Sequence, residues 1–180
     1  MSRSGAKTGD WLYVTGDLGD AALALQHYKK QVDVKVDHID NIQAKLDYPK
    51  PRVLAGQTLR EYATAAIDLS DGLLADLGHI CNASNVGANI VLDAVPLSEI
   101  MKTTLPPQDA VNLALSGGDD YELLFTVSED NKVGMETAMS HAGTPVTCIG
   151  QINPSKVIST TLNNKPVPIN SVSFEHFSSN

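Results

Sequence analysis

Strand-like and helix-like segments are interleaved along this chain, but they do not follow the regular strand–helix–strand alternation of a doubly wound parallel fold. Apolar or alternating runs predict strands at residues 10–16, 64–69, 88–95, 121–128 and 145–152. Helical periodicity predicts helices at residues 20–32, 53–63, 70–84, 96–103, 106–115 and 129–143. Residues 33–47 are polar and weakly periodic, which indicates a loop with a short helix, and Asn163-Asn164 predicts a hairpin turn within 156–169. We therefore expect an α+β fold, with a mixed β-sheet and helices packed mainly on one face.

Composition narrows the class of protein. The 180 residues are enough for one domain with a hydrophobic core, and 42% hydrophobic with 19% charged residues is typical of folded globular chains. The net charge of -8 argues against nucleic acid or an anionic membrane as a partner. No apolar stretch has membrane-spanning length and the opening residues lack a signal-peptide core, so we expect a cytoplasmic protein. Cys81 and Cys148 have no metal-ligand spacing, and the patterns around them favour core thiols over a disulfide or a nucleophile.

The segment Asp68-Leu69-Ser70-Asp71-Gly72 places two carboxylates and a hydroxyl between a predicted strand and a predicted helix. Asp68 and Ser70 can converge because side chains two apart on an extended strand share a face. Since Mg²⁺ prefers one or two carboxylates with water and phosphate oxygens, the pattern indicates a metal or phosphate site. The alternative is that Ser70 or Asp71 only caps the helix, which leaves Asp68 without a role.

A second polar segment, Ser116-Gly117-Gly118-Asp119-Asp120-Tyr121-Glu122, comes just before an apolar strand. Because glycine takes positive φ, such a turn can bend tightly and admit a ligand. The alternative is an ordinary Gly-Gly helix terminus followed by a turn with two acids. The residues alone leave both interpretations open.

Other candidates have weaker signals. Gly16-Asp17-Leu18-Gly19-Asp20 lacks both the full GxGxxG pattern and a P-loop lysine, which favours Asp20 as a helix cap. Arg3 is a lone cation in a polar leader, with a guanidinium fork that suits phosphate oxygens. His79 and His141 fall on predicted helices, where a structural or solvent-facing position is favoured over a catalytic one.

These segments, in this order, resemble the C-terminal half of bacterial thiamine-monophosphate kinase, a member of the aminoimidazole-ribonucleotide synthetase-like superfamily. The resemblance covers essentially the whole chain, 1–180, and rests on the runs RSGAKTGDWLYVTGDLGDAALAL, AIDLSDGLLADLGHI, LALSGGDDYELLFTV, VTCIGQI and FEHF. It implies transfer of the γ-phosphoryl group of ATP to thiamine monophosphate, with several Mg²⁺ ions, in a homodimer. It also implies that the N-terminal half of the enzyme is absent here, so we expect little or no kinase activity from this chain alone.

The resemblance assigns roles residue by residue. Asp68 and Asp71 would ligate Mg²⁺, and Arg3 and Ser70 would contact ATP. Asp119 stands where the family usually has a glutamate that contacts thiamine, and Phe174 stands where a C-terminal aromatic packs against it. No catalytic side chain is implied, because the acceptor is itself a phosphate oxygen. Two alternatives stay open: a non-catalytic ligand-binding module, and another superfamily member such as aminoimidazole-ribonucleotide synthetase.

Overall fold

Seven strands and seven helices make up the described part of the chain, residues 1–168 of a computed structural model. The strands are β1 (Trp11–Thr15), β2 (Ala63–Asp68), β3 (Gly87–Val91), β4 (Leu123–Val127), β5 (Val146–Asn153), β6 (Ile158–Leu162) and β7 (Lys165–Val167). The helices are α1 (Asp20–Tyr28), α2 (Val36–Asp47), α3 (Val53–Leu59), α4 (Leu73–Ser84), α5 (Glu99–Thr104), α6 (Pro107–Ser116) and α7 (Glu129–His141).

All seven strands form one mixed sheet in the order β2-β4-β1-β5-β3-β6-β7. Neighbouring strands are antiparallel except β3 and β6, which run parallel. Asn163 and Asn164 have φ of 50° and 60° between β6 and β7, as expected for the central residues of a two-residue hairpin turn. The predicted hairpin and the predicted mixed sheet are therefore confirmed.

Side-chain alternation along β1 and β4 divides the core between the two faces of the sheet. Leu12 and Leu124 join the larger buried cluster, which includes residues of α4 and α6. Tyr13 and Phe125 point to the other face, where their rings stack with centroids 5.6 Å apart against side chains of α3 and α7. Most of the buried apolar residues lie on the first face, in agreement with the predicted α+β fold.

Residues 33–47 are predicted to form a loop with a short helix, but the helix is longer than this prediction, since α2 takes up 12 residues of the segment. Ile39, Ile42 and Leu46 recur at helical spacing and pack in a third cluster with α1, α5 and α6. Only Ile42 of α2 is fully buried. This narrow apolar stripe explains why the periodicity is weak in a segment that is otherwise polar.

The two cysteines are thiols, as the sequence predicts. Cys81 is buried and Cys148 is half-buried, and both are free thiols. Within residues 1–168, no helix is long and apolar enough to cross a membrane.

Candidate functional site

The three polar segments singled out in the sequence meet at one end of the sheet. β1 and β2 are both antiparallel to β4 and lie on either side of it. Asp68, the last residue of β2, is therefore paired with Leu123, the first residue of β4, and Val14 near the end of β1 is paired with Leu124. The turn after β1, the turn after β2 and the loop before β4 consequently lie side by side.

Backbone hydrogen bonds join the turn after β2 to the loop before β4. The Asp119 N–H donates to the Ser70 carbonyl at 3.0 Å, and the Tyr121 N–H donates to the Leu69 carbonyl at 2.9 Å. A Cβ at Gly118 would lie only 2.4 Å from the Ser70 carbonyl oxygen, so a side chain there would force the two segments apart. The two motifs that the sequence shows 50 residues apart are therefore one structural unit.

The turn after β2 is held by a side chain that sequence reasoning missed, Asp76 on α4. Asp76 is 1% exposed, and its Oδ2 accepts hydrogen bonds from the N–H groups of Ser70 at 3.0 Å and Asp71 at 3.1 Å. The N-cap residue of α4 is Gly72, with φ of 104°, and no side chain caps the helix. Helix capping by Ser70 or Asp71 is therefore wrong. The carboxylates of Asp68 and Asp71 are left exposed at the surface.

Acidic side chains at this turn offer oxygen ligands of the kind that Mg²⁺ prefers. Within residues 1–168, one group of three potential metal ligands has all its ligand atoms within 4.8 Å of one another: Asp71, Asp76 and His79. His79 is exposed on α4, one helical turn beyond Asp76. Asp68 is not part of this compact group. The carboxylates of Asp71 and Asp76 are the kind of donor that suits a divalent cation.

Glu122 lies buried between β1 and β4, and its charge is matched by Arg52. The Glu122 carboxylate is 3% exposed and accepts two hydrogen bonds from the Arg52 guanidinium, one of them from Nε at 2.6 Å. It accepts a third from Thr15 Oγ1 at 2.6 Å. Gly16 has φ of 59°, and a Cβ there would lie 2.3 Å from Glu122 Oε1. The turn after β1 is thus shaped around this ion pair.

Two further acids, Asp20 and Asp120, lie at the start of α1. Both carboxylate oxygens of Asp120 accept from the Gly19 N–H at 3.0 Å. The pKa of Asp120 is raised from its ordinary 3.8 to about 7, mainly by burial and also by the nearby carboxylates of Asp20 and Glu122, while the hydrogen bond from the Gly19 N–H opposes the shift. Asp20 accepts from Ser98 Oγ at 2.5 Å, and burial raises its pKa too. The residue that caps α1 is Gly19, with no side-chain cap, so the interpretation of Asp20 as the cap is wrong.

Of the remaining residues predicted to contact ligands, Asp119 lies next to the acidic turn and Arg3 does not. Asp119 is exposed in the loop before β4, with φ of 67°, beside the Ser70 turn. The carbonyl of Arg3 accepts from Ser84 Oγ at 3.3 Å, which places the Arg3 backbone at the opposite end of α4 from Asp71. Phe174 lies outside the described residues.

Comparison with known proteins identifies close relatives. The thiamine-monophosphate kinase of Salmonella typhimurium is 46% identical over 180 residues, which cover 98% of this chain and 55% of that protein. The thiamine-monophosphate kinase of Escherichia coli K12 is 43% identical over 179 residues, with the same coverage. This chain therefore spans about half the length of the curated relatives it matches.

Solved structures give the same relationship. Thiamine-monophosphate kinase from Stenotrophomonas maltophilia K279a matches with a TM-score of 0.83 and 37% identity over 93% of this chain and 54% of that one. AaThiL complexed with AMPPCP and TMP matches with a TM-score of 0.73 and 27% identity over 92% of this chain and 51% of that one. The predicted resemblance to thiamine-monophosphate kinases is confirmed. Residues 7–163 match the family model "AIR synthase related protein, C-terminal domain", and the chain belongs to this family.

Proposed function

We propose that this chain is the C-terminal half of an enzyme that uses ATP and Mg²⁺ to phosphorylate thiamine monophosphate to thiamine diphosphate. The observation that carries the proposal is the joined pair of motifs, in which the acidic turn after β2 is hydrogen-bonded to the Gly-Gly-Asp-Asp loop. Identity of 43–46% to thiamine-monophosphate kinases over 98% of the chain supports this specific reaction. The relative complexed with AMPPCP and TMP supports a nucleotide and a phosphate-bearing acceptor as the ligands.

The exposed carboxylates of Asp68 and Asp71 would hold Mg²⁺, which when bound would supply positive charge to balance that of the phosphate oxygens. Asp76 holds the Ser70 and Asp71 N–H groups, so the turn keeps one shape when ligands arrive. Ser70 and Arg3 contact ATP, while Asp119 and Phe174 contact the acceptor. No side chain of this half needs to act as a nucleophile, because the acceptor supplies a phosphate oxygen.

The remaining assignments concern the whole enzyme. Since the chain spans 55% of its relatives' length, we propose that the rest of the site and of a homodimer interface belongs to a second half. The enzyme acts in the cytoplasm, in thiamine diphosphate biosynthesis. This chain alone gives no turnover of ATP and thiamine monophosphate above that of its Asp68→Asn variant, and measurable turnover above that background would contradict this part of the proposal.

Titration calorimetry with Mg²⁺ and AMPPCP tests the nucleotide and metal assignments. We expect Asp71→Asn and Asp68→Asn to weaken binding about tenfold or more, because each removes a charged ligand. Asp40→Asn is the matched control, since Asp40 is an exposed acid on α2, away from the turn. Equal affinity for all four proteins would favour the alternative of a non-catalytic module whose acids do not bind metal.

A further inference from the structure

Asp76 and His79 on α4 lie next to Asp71, and the proposed function gives neither of them a contact with a ligand. One ligand atom from each of the three residues lies within 4.8 Å of the other two. Donor atoms about 2.1 Å from one cation lie at most about 4.2 Å from each other. Since Asp71 and His79 are exposed, small rotations of these two side chains bring all three donors within that range.

The helix and the turn before it place the three side chains on one face. Asp76 and His79 are three residues apart on α4, so their side chains lie one above the other. An acid and a histidine at this spacing supply metal ligands in helical carboxylate proteins. Asp71 joins them from the turn, because its N–H donates to Asp76 Oδ2 at 3.1 Å.

Asp76 is a fixed ligand with one free oxygen. The residue is 1% exposed, and its Oδ2 is held by the N–H groups of Ser70 and Asp71. Within residues 1–168, Oδ1 accepts no hydrogen bond, and no fully enclosed side-chain oxygen lacks a partner. Oδ1 therefore reaches solvent beside Asp71 and His79, from an otherwise buried carboxylate whose orientation is already set.

The charge of this group is not balanced by the protein. The ion pairs of the described residues join Arg52 to Glu122 and Lys102 to Glu99, and neither pair includes Asp71 or Asp76. The ring nitrogens of His79 also have no hydrogen-bond partner in the described part of the chain. Two carboxylates and an imidazole consequently face solvent together, with donor atoms available to a cation.

His79 decides which cation suits the group best. Mg²⁺ prefers oxygen ligands and keeps several of its waters. An imidazole nitrogen instead favours transition-metal ions, whose affinity for mixed nitrogen and oxygen ligands rises from Mn²⁺ through Co²⁺ to Cu²⁺. Two oxygen ligands and one nitrogen ligand, with the remaining positions open to water, therefore suit a divalent transition-metal ion.

We propose that Asp71, Asp76 and His79 bind a divalent transition-metal ion, with His79 setting the preference for this ion over Mg²⁺. The site shares Asp71 with the Mg²⁺ ligands of the proposed function, but it requires neither Asp68 nor a nucleotide nor the acceptor. A metal bound here joins the turn after β2 to α4, because Asp71 belongs to the turn and His79 to the helix. It therefore stabilises the turn that contains Ser70.

Co²⁺ is the probe, because its visible absorption changes when protein ligands replace water. The chain is titrated with Co²⁺ at about pH 7.5, where imidazole is largely neutral, without nucleotide or acceptor. His79→Gln and Asp71→Asn each remove one ligand. His141→Gln, at an exposed histidine on α7, and Asp68→Asn are the controls. Thermal melting without metal verifies that each variant is folded, and melting with Co²⁺ measures the stabilisation.

We expect the unmodified chain and both controls to bind Co²⁺ equally and to melt at a higher temperature when it is bound. His79→Gln and Asp71→Asn should bind it at least about tenfold more weakly, since even the loss of a residue that only supports a metal ligand has such an effect. In a parallel titration, His79→Gln should change Mg²⁺ affinity less than about twofold, because Mg²⁺ prefers oxygen.

Unchanged Co²⁺ affinity in His79→Gln, or no Co²⁺ binding by the unmodified chain, would overturn the inference. Equal weakening of Co²⁺ binding by Asp68→Asn and His79→Gln would also overturn it, because the metal would then lie between the two residues and not within the compact group. The proposed function stands or falls separately, on the titration with Mg²⁺ and AMPPCP.

Discussion

Replacement of Asp120 by asparagine should make the protein more stable at neutral pH, in spite of the loss of a native side chain. Burial and two neighbouring carboxylates raise the pKa of Asp120 to about 7 in the folded protein. In the unfolded chain the same carboxyl returns to its ordinary value of 3.8. The folded state therefore holds a proton that the unfolded state has already released.

The sign of the pH dependence follows from this difference. Between pH 4 and pH 7 the folded state binds more protons at Asp120 than the unfolded state, so the stability of the unmodified protein falls as the pH rises. At about 1.4 kcal/mol for each pH unit, the loss reaches about 4 kcal/mol by pH 7 and stays constant above it. Asparagine carries no charge at any of these pH values. Allowing for a weaker bond from the Gly19 N–H, we expect Asp120→Asn to be about 2–4 kcal/mol more stable at pH 8.

Urea denaturation from pH 4.5 to pH 8 measures how the stability gain of Asp120→Asn depends on pH. The measured quantity is the difference in unfolding free energy between Asp120→Asn and the unmodified chain, because groups that do not interact with Asp120 titrate equally in both. The difference should grow up to about pH 7 and then level off, while the control Asp40→Asn should show no such trend. A difference that does not change with pH would refute the account of Asp120 as a buried, partly protonated acid.

Two further substitutions test how the site is built. Arg52→Ala leaves the buried Glu122 carboxylate without its cation and should reduce stability by about 2–4 kcal/mol in urea denaturation, whereas Arg60→Ala, at an exposed arginine, should change it by less than about 0.5 kcal/mol. Gly118→Ala places a Cβ 2.4 Å from a facing carbonyl oxygen and should destabilise the fold. Gly78→Ala meets nothing within 4 Å in α4, and its better helix propensity should add about 0.5–1 kcal/mol.

Two outcomes would contradict these predictions for the arginine and glycine variants. Equal stability losses for the two arginine variants would mean that the Glu122 ion pair does not hold the site together. A neutral Gly118→Ala variant would mean that the loop before β4 and the turn after β2 are not packed as tightly as the backbone distances indicate.

Local signals predicted much of this structure. The acids and glycines after β1, after β2 and before β4 could be identified as candidate site residues because each group follows or precedes a strongly apolar run. Asp68 and Ser70 could be identified as a pair because strand geometry relates residues two apart. The helix-capping interpretations of Asp20, Ser70 and Asp71 are wrong because the N-cap residues of α1 and α4 are Gly19 and Gly72, both at positive φ.

Long-range contacts were the part that sequence reasoning missed. Arg52 lies 70 positions from Glu122, and nothing in the local pattern around either residue indicates the other. Asp76 lies on the buried side of α4, which is otherwise apolar, and its partners, the Ser70 and Asp71 N–H groups, belong to the turn before the helix. Asp120 is recognisable as an acid of the motif, but nothing in the local pattern indicates that its carboxylate is buried.

We propose that the acidic turn and the loop before β4 together form a metal-dependent site for the acceptor. Titration of this chain with thiamine monophosphate in the presence of Mg²⁺ and AMPPCP, repeated after chelation of the metal, tests it most directly. The account predicts binding with Mg²⁺ that is lost on chelation. Binding that is unaffected by chelation, or no binding in either condition, would contradict the account of this half as a metal-dependent acceptor site.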